Sequence, residues 1–238
     1  MEKAGLNGSQ ALADLIEWVS PSGTLALPTY PFRSTHREYL ESKPSFDVRR
    51  TPAAIGLLPE MFRRTKGSVR SLDPDFCVSA LGAEAAAIVG EQPSGPDPFG
   101  GSSSYQRMLD RGCTLVGLGV SLNTSSFIHA IDSAMQAGYP APVYEARSYD
   151  VTVIDTAGAS MVIPRMALRP EFQKLIKPSE INGVMQPDPS VFRSLEIEGA
   201  RFFKWDLSAW REWCVAHARA CAASAEWPCW LRALGPAS

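Results

Sequence analysis

The apolar run at residues 114–120, together with the amphipathic segment after it, constrains the fold more than any other feature of this chain. The run reads Thr-Leu-Val-Gly-Leu-Gly-Val, which predicts a buried central strand. From about Ser125 to Ala137 apolar residues recur at helical spacing, and Gly138 follows as a stop signal. We therefore expect a strand, an exit loop and a helix in succession, an arrangement in which α/β folds commonly gather ligands.

The remaining patterns predict further strands and helices around this segment. The expected helices lie at residues 9–19 with Ser9 as the cap, 55–64 with an interruption near Pro59, 80–89, 105–109 and 206–226. The other expected elements are a strand at residues 24–28, a long polar loop at 29–51 and a hairpin of 149–154 with 159–163. Residues 1–238 are thus predicted to form a single α/β domain with a mixed, largely buried central sheet flanked by helices.

The charge balance and the length of the apolar runs limit the classes of partner. Lysine and arginine total 23 against 25 aspartates and glutamates, so the net charge of −2 gives no reason to expect nucleic-acid binding. The longest apolar run is much shorter than the ~20 residues that a membrane-spanning helix needs, so no membrane partner is expected. The amino terminus has no apolar stretch behind its positive charge, which indicates a cytoplasmic protein without a secretion signal.

The cysteines and histidines do not form a metal-binding or disulfide pattern. The five cysteines include no Cys-x-x-Cys pair, and the three histidines include no pair at the i, i+4 spacing of helical metal ligands. No metal is therefore expected. His36 is expected to be solvated in its polar loop, and His217 to pack on the apolar stripe of the last helix. The tryptophans near the carboxyl end are expected to close a core or an interface.

A polar stripe runs along the helix predicted after residue 124. Ser126, His129 and Asp132 are three residues apart, so a helix places them on one side, away from its apolar face. An imidazole oriented by a carboxylate one turn later is suited to act as a general base. The spacing equally fits a His129 that merely hydrogen-bonds Asp132 on the surface, and both interpretations stay open at this point.

Residues 67–74 form a second candidate segment. Arg70 offers a fixed fork of donors beside serine hydroxyls, which suits recognition of a phosphate or a carboxylate. An ordinary polar loop with a surface arginine fits the same residues. The glycines at 117 and 119 do not make a dinucleotide fingerprint, because Leu122 occupies the position of the third glycine.

Several short motifs occur in a fixed order along the chain: Gly23-Thr24-Leu25-Ala26-Leu27-Pro28-Thr29, Phe46-Asp47, Thr51-Pro52, Gly56, Phe62-Arg63, Arg70-Ser71-Leu72-Asp73-Pro74 with Cys77, Ala80 and Gly82, Ser103-Ser104-Tyr105, and Ser126, His129 and Asp132. In this order they resemble the aminoglycoside 3-N-acetyltransferase family, also called antibiotic N-acetyltransferases, from about residue 9 to 135. No single motif is specific, but their ordered succession is.

The resemblance implies the transfer of an acetyl group from acetyl-CoA to an amine of an aminosugar, either an aminoglycoside antibiotic or a related amino sugar. His129 would remove a proton from the attacking amine and Asp132 would hold the imidazole in the right tautomer. The Ser126 hydroxyl would donate to the developing oxyanion. Acetyl-CoA is then the cosubstrate and the acceptor a small molecule, and a homodimer is compatible with the sequence.

The resemblance also assigns contacts outside the helix. Val69, Arg70 and Ser71 are expected to bind the cofactor, and Asp47 and Asp73 are expected to meet a cationic acceptor.

This chain departs from the family pattern at three of the quoted positions and at its start. Asp73 stands in place of histidine, Ser126 in place of threonine and Asp132 in place of glutamate. The sequence is expected to begin after the family's usual first strand, whose His-Ser-Ser-type turn helps to bind CoA. A second hypothesis follows, in which the chain is a catalytically degenerate member that acts as a CoA-binding or interaction module.

Overall fold

The computed structural model describes residues 7–90, 92–120, 125–169, 192–226 and 228. The fold is mixed α/β. In chain order its elements are α1 (Gly8–Val19), β1 (Thr24–Pro28), α2 (His36–Glu41), β2 (Ser45–Asp47), α3 (Leu57–Arg63), β3 (Val69–Arg70), β4 (Val78–Gly82), α4 (Ala85–Val89), α5 (Ser104–Asp110), β5 (Thr114–Leu118), α6 (Phe127–Met135), β6 (Tyr144–Ile154), β7 (Ser160–Leu168), β8 (Phe192–Ile197), β9 (Ala200–Asp206) and α7 (Leu207–Ala223), with a 3-10 turn at Gln136–Gly138.

The chain divides into two compact units. The first unit comprises Met1–Arg107 and Glu145–Ala167, and the second comprises Met108–Tyr144 and Leu168–Ser238. The described strands form three sheets of three strands each, so the expected single central sheet is not confirmed. No helix in the described part of the chain is both long and apolar enough to cross a membrane.

The first unit contains an antiparallel sheet in the order β1-β4-β3. Strand β1 and helix α1 lie where the sequence predicts them, but the cap of α1 is Asn7, whose side chain accepts a hydrogen bond from the backbone N–H of Ser9 at 3.0 Å. The prediction of one helix at residues 80–89 is wrong. The first residues of this segment belong to β4, in which Ala80 pairs with Ala26. The alanine residues themselves carry no local signal for this long-range pairing.

The prediction of a long polar loop at residues 29–51 is also wrong, since the segment contains α2 and β2. Helix α2 begins with a capping box, in which the Thr35 hydroxyl accepts from the backbone N–H of Glu38 and the Glu38 carboxylate accepts from that of Thr35. Helix α3 is not interrupted at Pro59, because that proline falls in the first turn, where a helix does not need its N–H.

A second sheet of the first unit has the order β2-β6-β7. Strand β2 runs parallel to β6, with Phe46 opposite Val153. The predicted hairpin is confirmed as β6 and β7, and Asp155 closes its turn by accepting hydrogen bonds from the backbone N–H groups of Ala157 and Ala159, both at 2.8 Å. The core beside this sheet consists of Phe46, Val48, Cys77, Val153 and Ile163.

The second unit contains an antiparallel sheet in the order β5-β9-β8, with α6 and α7. The prediction that residues 114–120 form a buried central strand is wrong. Among the described strands β5 lies at an edge of its sheet, and Leu118 is 39% exposed. An apolar run with glycines has the same sequence pattern in a central strand and in an edge strand. Here Gly117 leaves space for Phe203, since a Cβ at 117 would lie 1.9 Å from that ring.

The helices predicted for the second unit are confirmed as α6 and α7. Two of the late tryptophans close its core as expected: Trp205 and Trp210 are buried, with ring centroids 5.5 Å apart. His217 of α7 is half-buried and stacks on Trp213 at 5.0 Å between ring centroids. Trp227, Trp230 and Cys229 lie outside the described residues.

Candidate active site

Helix α6 presents the predicted polar stripe. Ser126 occupies the N-cap position, and the helix is held in the core of the second unit by Phe127, Ile128 and Ile131, which are all buried. This packing fixes the rotation of the helix, so His129 and Asp132 lie one turn apart on the same side.

The His129–Asp132 pair combines a slightly exposed imidazole with a buried carboxylate. The Nδ1 atom of His129 lies 3.9 Å from Oδ2 of Asp132, and the two side chains are 12% and 1% exposed. Because Asp132 is buried, the interpretation of a pair on the surface is wrong. The separation exceeds a hydrogen bond, but an ionised carboxylate within ~4–6 Å of an imidazole favours the protonated ring.

Asp132 has a second polar partner that the sequence did not indicate. The hydroxyl of Tyr139 donates to Oδ1 of Asp132 at 3.0 Å. Burial, and then the charge of Asp132, raise the pKa of Tyr139 well above its usual value, so the hydroxyl keeps its proton and remains a donor. The helical pattern ends before Tyr139, and only its distance of seven residues from Asp132 was a signal in the sequence.

Ser126 contacts α6 through its backbone. Its carbonyl accepts from the backbone N–H of His129 at 3.2 Å, while its hydroxyl makes no capping hydrogen bond to the helix. The residues of the expected exit loop at 121–124 lie outside the described part of the chain.

Arg70, in the first unit, is almost fully buried, and its guanidinium bonds to other parts of that unit. Its Nη1 donates to the carbonyl of Thr51 at 2.6 Å, its Nη2 donates to the carbonyl of Thr29, and its Cζ lies 4.8 Å from the centroid of the Phe46 ring. These donors tie β3 to neighbouring loops. The expected contact of Arg70 with phosphate stays a prediction, and the observed geometry favours a structural role.

The two neighbours of Arg70 differ in exposure. Val69 is 40% exposed, whereas Ser71 is buried and its hydroxyl accepts from the backbone N–H of Val78 at 3.1 Å. Their contact with the cofactor also stays a prediction.

Asp73 belongs to a buried ionic cluster, which consists of His36, Asp73, Asp75 and Arg165. Nη2 of Arg165 lies 2.9 Å from Asp73, its Nε lies 3.2 Å from Asp75, and Nε2 of His36 lies 2.9 Å from the other oxygen of Asp75. Burial, partly offset by Arg165, raises the pKa of Asp73 to about 6. Burial acts upward on Asp75 too, but Arg165 and His36 outweigh it and lower the pKa of Asp75.

The cluster changes the interpretation of two residues. The expectation that His36 is solvated is wrong, because the residue is 4% exposed at the start of α2 and its ring packs on Phe76 at 4.6 Å between centroids. Asp73 is bonded to Arg165, so its predicted contact with a cationic acceptor would compete with an ion pair already formed.

Asp47 lies in β2 with a side chain that is 20% exposed. Its Oδ1 accepts from the backbone N–H groups of Arg49 and Arg50, both at 2.9 Å. These bonds stabilise the turn after β2 and leave Oδ2 facing Arg50 at 3.9 Å. A contact with the acceptor stays a prediction for Asp47.

The predicted site residues thus fall into two sets. The second unit brings Ser126, His129 and Asp132 together, and the first unit holds residues 69–71 with Asp47 and Asp73. Within the described ranges no group of three or more histidine, cysteine, aspartate or glutamate side chains is placed to hold a metal ion.

Comparison with solved structures defines the class of fold. The structure aligns with aminoglycoside acetyltransferase AAC(3)-Xa at a TM-score of 0.69 and 23% identity, covering 88% of this chain and 79% of that one. It aligns with AAC-IIIb, solved as a binary complex with CoASH, at a TM-score of 0.66 and 21% identity, covering 88% and 82%. The fold is therefore that of the aminoglycoside acetyltransferases.

The sequence comparisons identify the family. The family model described as aminoglycoside 3-N-acetyltransferase matches residues 5–189. The chain belongs to this family, which confirms the resemblance seen in its motifs. Aminoglycoside N(3)-acetyltransferase VII of Streptomyces paromomycinus is 37% identical over 82 residues, which are 34% of this chain and 28% of the relative.

A second curated relative aligns over a longer segment. Aminoglycoside N(3)-acetyltransferase IX of Micromonospora chalcea is 29% identical over 128 residues, covering 48% of this chain and 45% of the relative. The matched segments therefore span less than half the length of these two curated relatives.

Proposed function

We propose that this chain transfers the acetyl group of acetyl-CoA to an amine of an aminosugar, with His129 as the general base. The observation that carries the proposal is the pair on α6, in which a partly exposed imidazole is backed by a buried carboxylate. Membership of the family supports the reaction class. Two relatives support the substrates: AAC-IIIb was solved with CoASH, and AAC-VIa was solved bound to sisomicin.

The proposed mechanism assigns one task to each residue of the stripe. Acetyl-CoA supplies a thioester, in which the bond from the acetyl carbon to sulfur breaks as the bond to the amine nitrogen forms. His129 accepts the proton that the amine loses and returns a proton to the departing sulfur. Asp132 stabilises the imidazolium that exists between these two transfers, and the Ser126 hydroxyl donates to the carbonyl oxygen as it gains negative charge.

The other proposed contacts involve residues of the first unit, considered by itself. Residues 69–71 are proposed to meet the cofactor through exposed Val69, with Ser71 beside it, while Arg70 fixes this segment from inside the protein. Asp47, partly exposed, is the better candidate to attract a cationic amine, and Asp73 the weaker one because of its ion pair with Arg165.

A thiol-release assay tests the proposal directly. Wild-type protein should release CoA from acetyl-CoA in the presence of an aminoglycoside or a simpler aminosugar, and the faster acceptor identifies the substrate class. His129→Ala should lower kcat by about 10²- to 10⁴-fold, the contribution of a positioned base. His217→Ala is the matched control, because it removes a half-buried imidazole from the same unit. Equal rates for wild type and His129→Ala would remove His129 from the mechanism.

A second function is favoured by the 3.9 Å gap between His129 and the short side chain of Asp132. If this separation prevents Asp132 from supporting His129 as a base, the chain would bind CoA or another partner without turning over substrate. Calorimetry with CoA separates the two functions: binding without acetyl release under any of the acceptors supports the module, and turnover excludes it.

A further inference from the structure

The carboxylate of Asp132 meets a different partner on each of its oxygens. Oδ1 accepts the hydroxyl proton of Tyr139 at 3.0 Å, and Oδ2 faces Nδ1 of His129 at 3.9 Å. An aspartate carboxylate turns easily about its last torsion, so its orientation depends on what its oxygens contact. A fixed donor on Oδ1 therefore determines where Oδ2 points.

Tyr139 is itself held firmly by the second unit. It follows the 3-10 turn, its backbone N–H donates to the carbonyl of Gln136 at 3.1 Å, and its side chain is buried. Gly138 packs closely against α7, where a Cβ at 138 would lie 3.1 Å from that of Ala222. Within the described part of the chain, Asp132 from α6 and Cys214 and Cys221 from α7 are titratable groups that act on the Tyr139 hydroxyl.

We propose that Tyr139 is a positioning residue, whose hydroxyl anchors one oxygen of Asp132 and so directs the other oxygen at the imidazole of His129. This inference rests on the proposed function of His129 as the base. Tyr139 does not touch the reacting atoms in this scheme, and it acts only through Asp132.

The test follows the imidazole itself, so it does not require turnover. The chain has three histidines, and their ring C–H signals can be assigned in NMR spectra by substituting each in turn. Asp132→Asn should move the midpoint of the His129 titration to lower pH by on the order of one unit, because an opposite charge within ~4–6 Å favours the protonated ring. Tyr139→Phe should move it in the same direction, and should have no further effect when added to Asp132→Asn.

A matched control measures the structural cost of losing a buried hydroxyl. Tyr39 is also buried, and its hydroxyl donates to the carbonyl of Pro74 at 2.7 Å. Tyr39→Phe should leave the His129 titration unchanged. The inference is overturned if Tyr139→Phe also leaves it unchanged, moves it to higher pH, or adds fully to the effect of Asp132→Asn.

Unmodified protein gives a second measurement in case Tyr139→Phe does not fold. The NMR chemical shift of the buried Tyr139 hydroxyl proton should change over the same pH interval in which His129 titrates, because both side chains interact with the same carboxylate. A chemical shift that stays constant over this interval contradicts the inference. In the thiol-release assay, Tyr139→Phe should lower kcat by about tenfold with KM unchanged. A wild-type protein that releases no CoA would refute the proposed function and leave the NMR result to decide the role of Tyr139.

Discussion

Replacing Arg165 by methionine tests whether the buried ionic cluster holds the first unit together. The guanidinium is fully buried between Asp73 and Asp75, at 2.9 Å and 3.2 Å. Methionine fills much of the same volume but removes the cation that contacts both carboxylates; Asp73 loses its ion pair, while His36 remains 2.9 Å from Asp75. Removing one partner of a buried ion pair costs about 3–5 kcal/mol, because the remaining charge is neither solvated nor paired.

That free energy converts into a measurable change in melting temperature. A loss of 1 kcal/mol lowers Tm by about 2–4 °C in chains of this size, so Arg165→Met should melt about 6–20 °C below wild type. The assay is thermal unfolding followed by circular dichroism at pH 8, above the pKa of about 6 that Asp73 has in the wild-type protein. Adding Asp73→Asn to Arg165→Met should recover part of the loss, because the carboxylate that lost its ion pair with Arg165 is then replaced by a neutral amide.

The matched control removes an arginine from an exposed ion pair. Arg37 lies 3.0 Å from Glu41 and 3.3 Å from Glu145, and its side chain is 43% exposed. Arg37→Met should have the same Tm as the wild type, since exposed ion pairs contribute little to stability. If Arg165→Met melted with Arg37→Met, the reasoning about uncompensated buried charge would be refuted for this cluster.

Two further predictions concern stability. Burial raises the pKa of Asp73 to about 6, whereas an unfolded aspartate titrates near about 3.9. The native state therefore binds the extra proton, and stability should fall as pH rises from about 4 to about 6; in urea unfolding, Asp73→Asn should lack this fall, and an unchanged pH dependence would contradict the assignment. Gly117→Ala should cost about 1–3 kcal/mol, because its Cβ would lie 1.9 Å from the Phe203 ring. Gly101→Ala, whose Cβ would meet nothing within 4 Å, is the control and should unfold with the wild type.

Elements with strong local signals were predictable from the sequence. Helices α6 and α7 show apolar residues at helical spacing, and the hairpin of β6 and β7 has a turn with Asp155 and Gly158 between β-prone runs. Strand β4 was not predictable, because Ala80 and Leu81 suit a helix equally well and alanine-rich residues follow them. Its pairing with β1 on one side and β3 on the other decides the conformation.

The candidate site also contains features that the sequence predicted and features that it did not. The spacing of His129 and Asp132 placed them on one helix face, but it did not show that the carboxylate is buried. The ionic cluster had no local pattern at all, since Arg165 is 90 residues from Asp75 and His36 is 39 residues from it. Contacts between distant segments are set by tertiary packing, which a single sequence does not display.

The departures from the family pattern take on a different meaning once their partners are known. Asp73, where the motif usually has histidine, contributes a carboxylate to a buried cluster that includes a cation, Arg165, at 2.9 Å. Asp132, where the motif has glutamate, is one methylene shorter and reaches His129 only to 3.9 Å, yet its other oxygen is bound by Tyr139. A shorter carboxylate that is held rigidly can still stabilise an imidazolium by charge, which acts across 4 Å, although it cannot form the direct hydrogen bond. Whether Asp132 retains the role of the longer residue therefore depends on Tyr139, and the two side chains must be judged together.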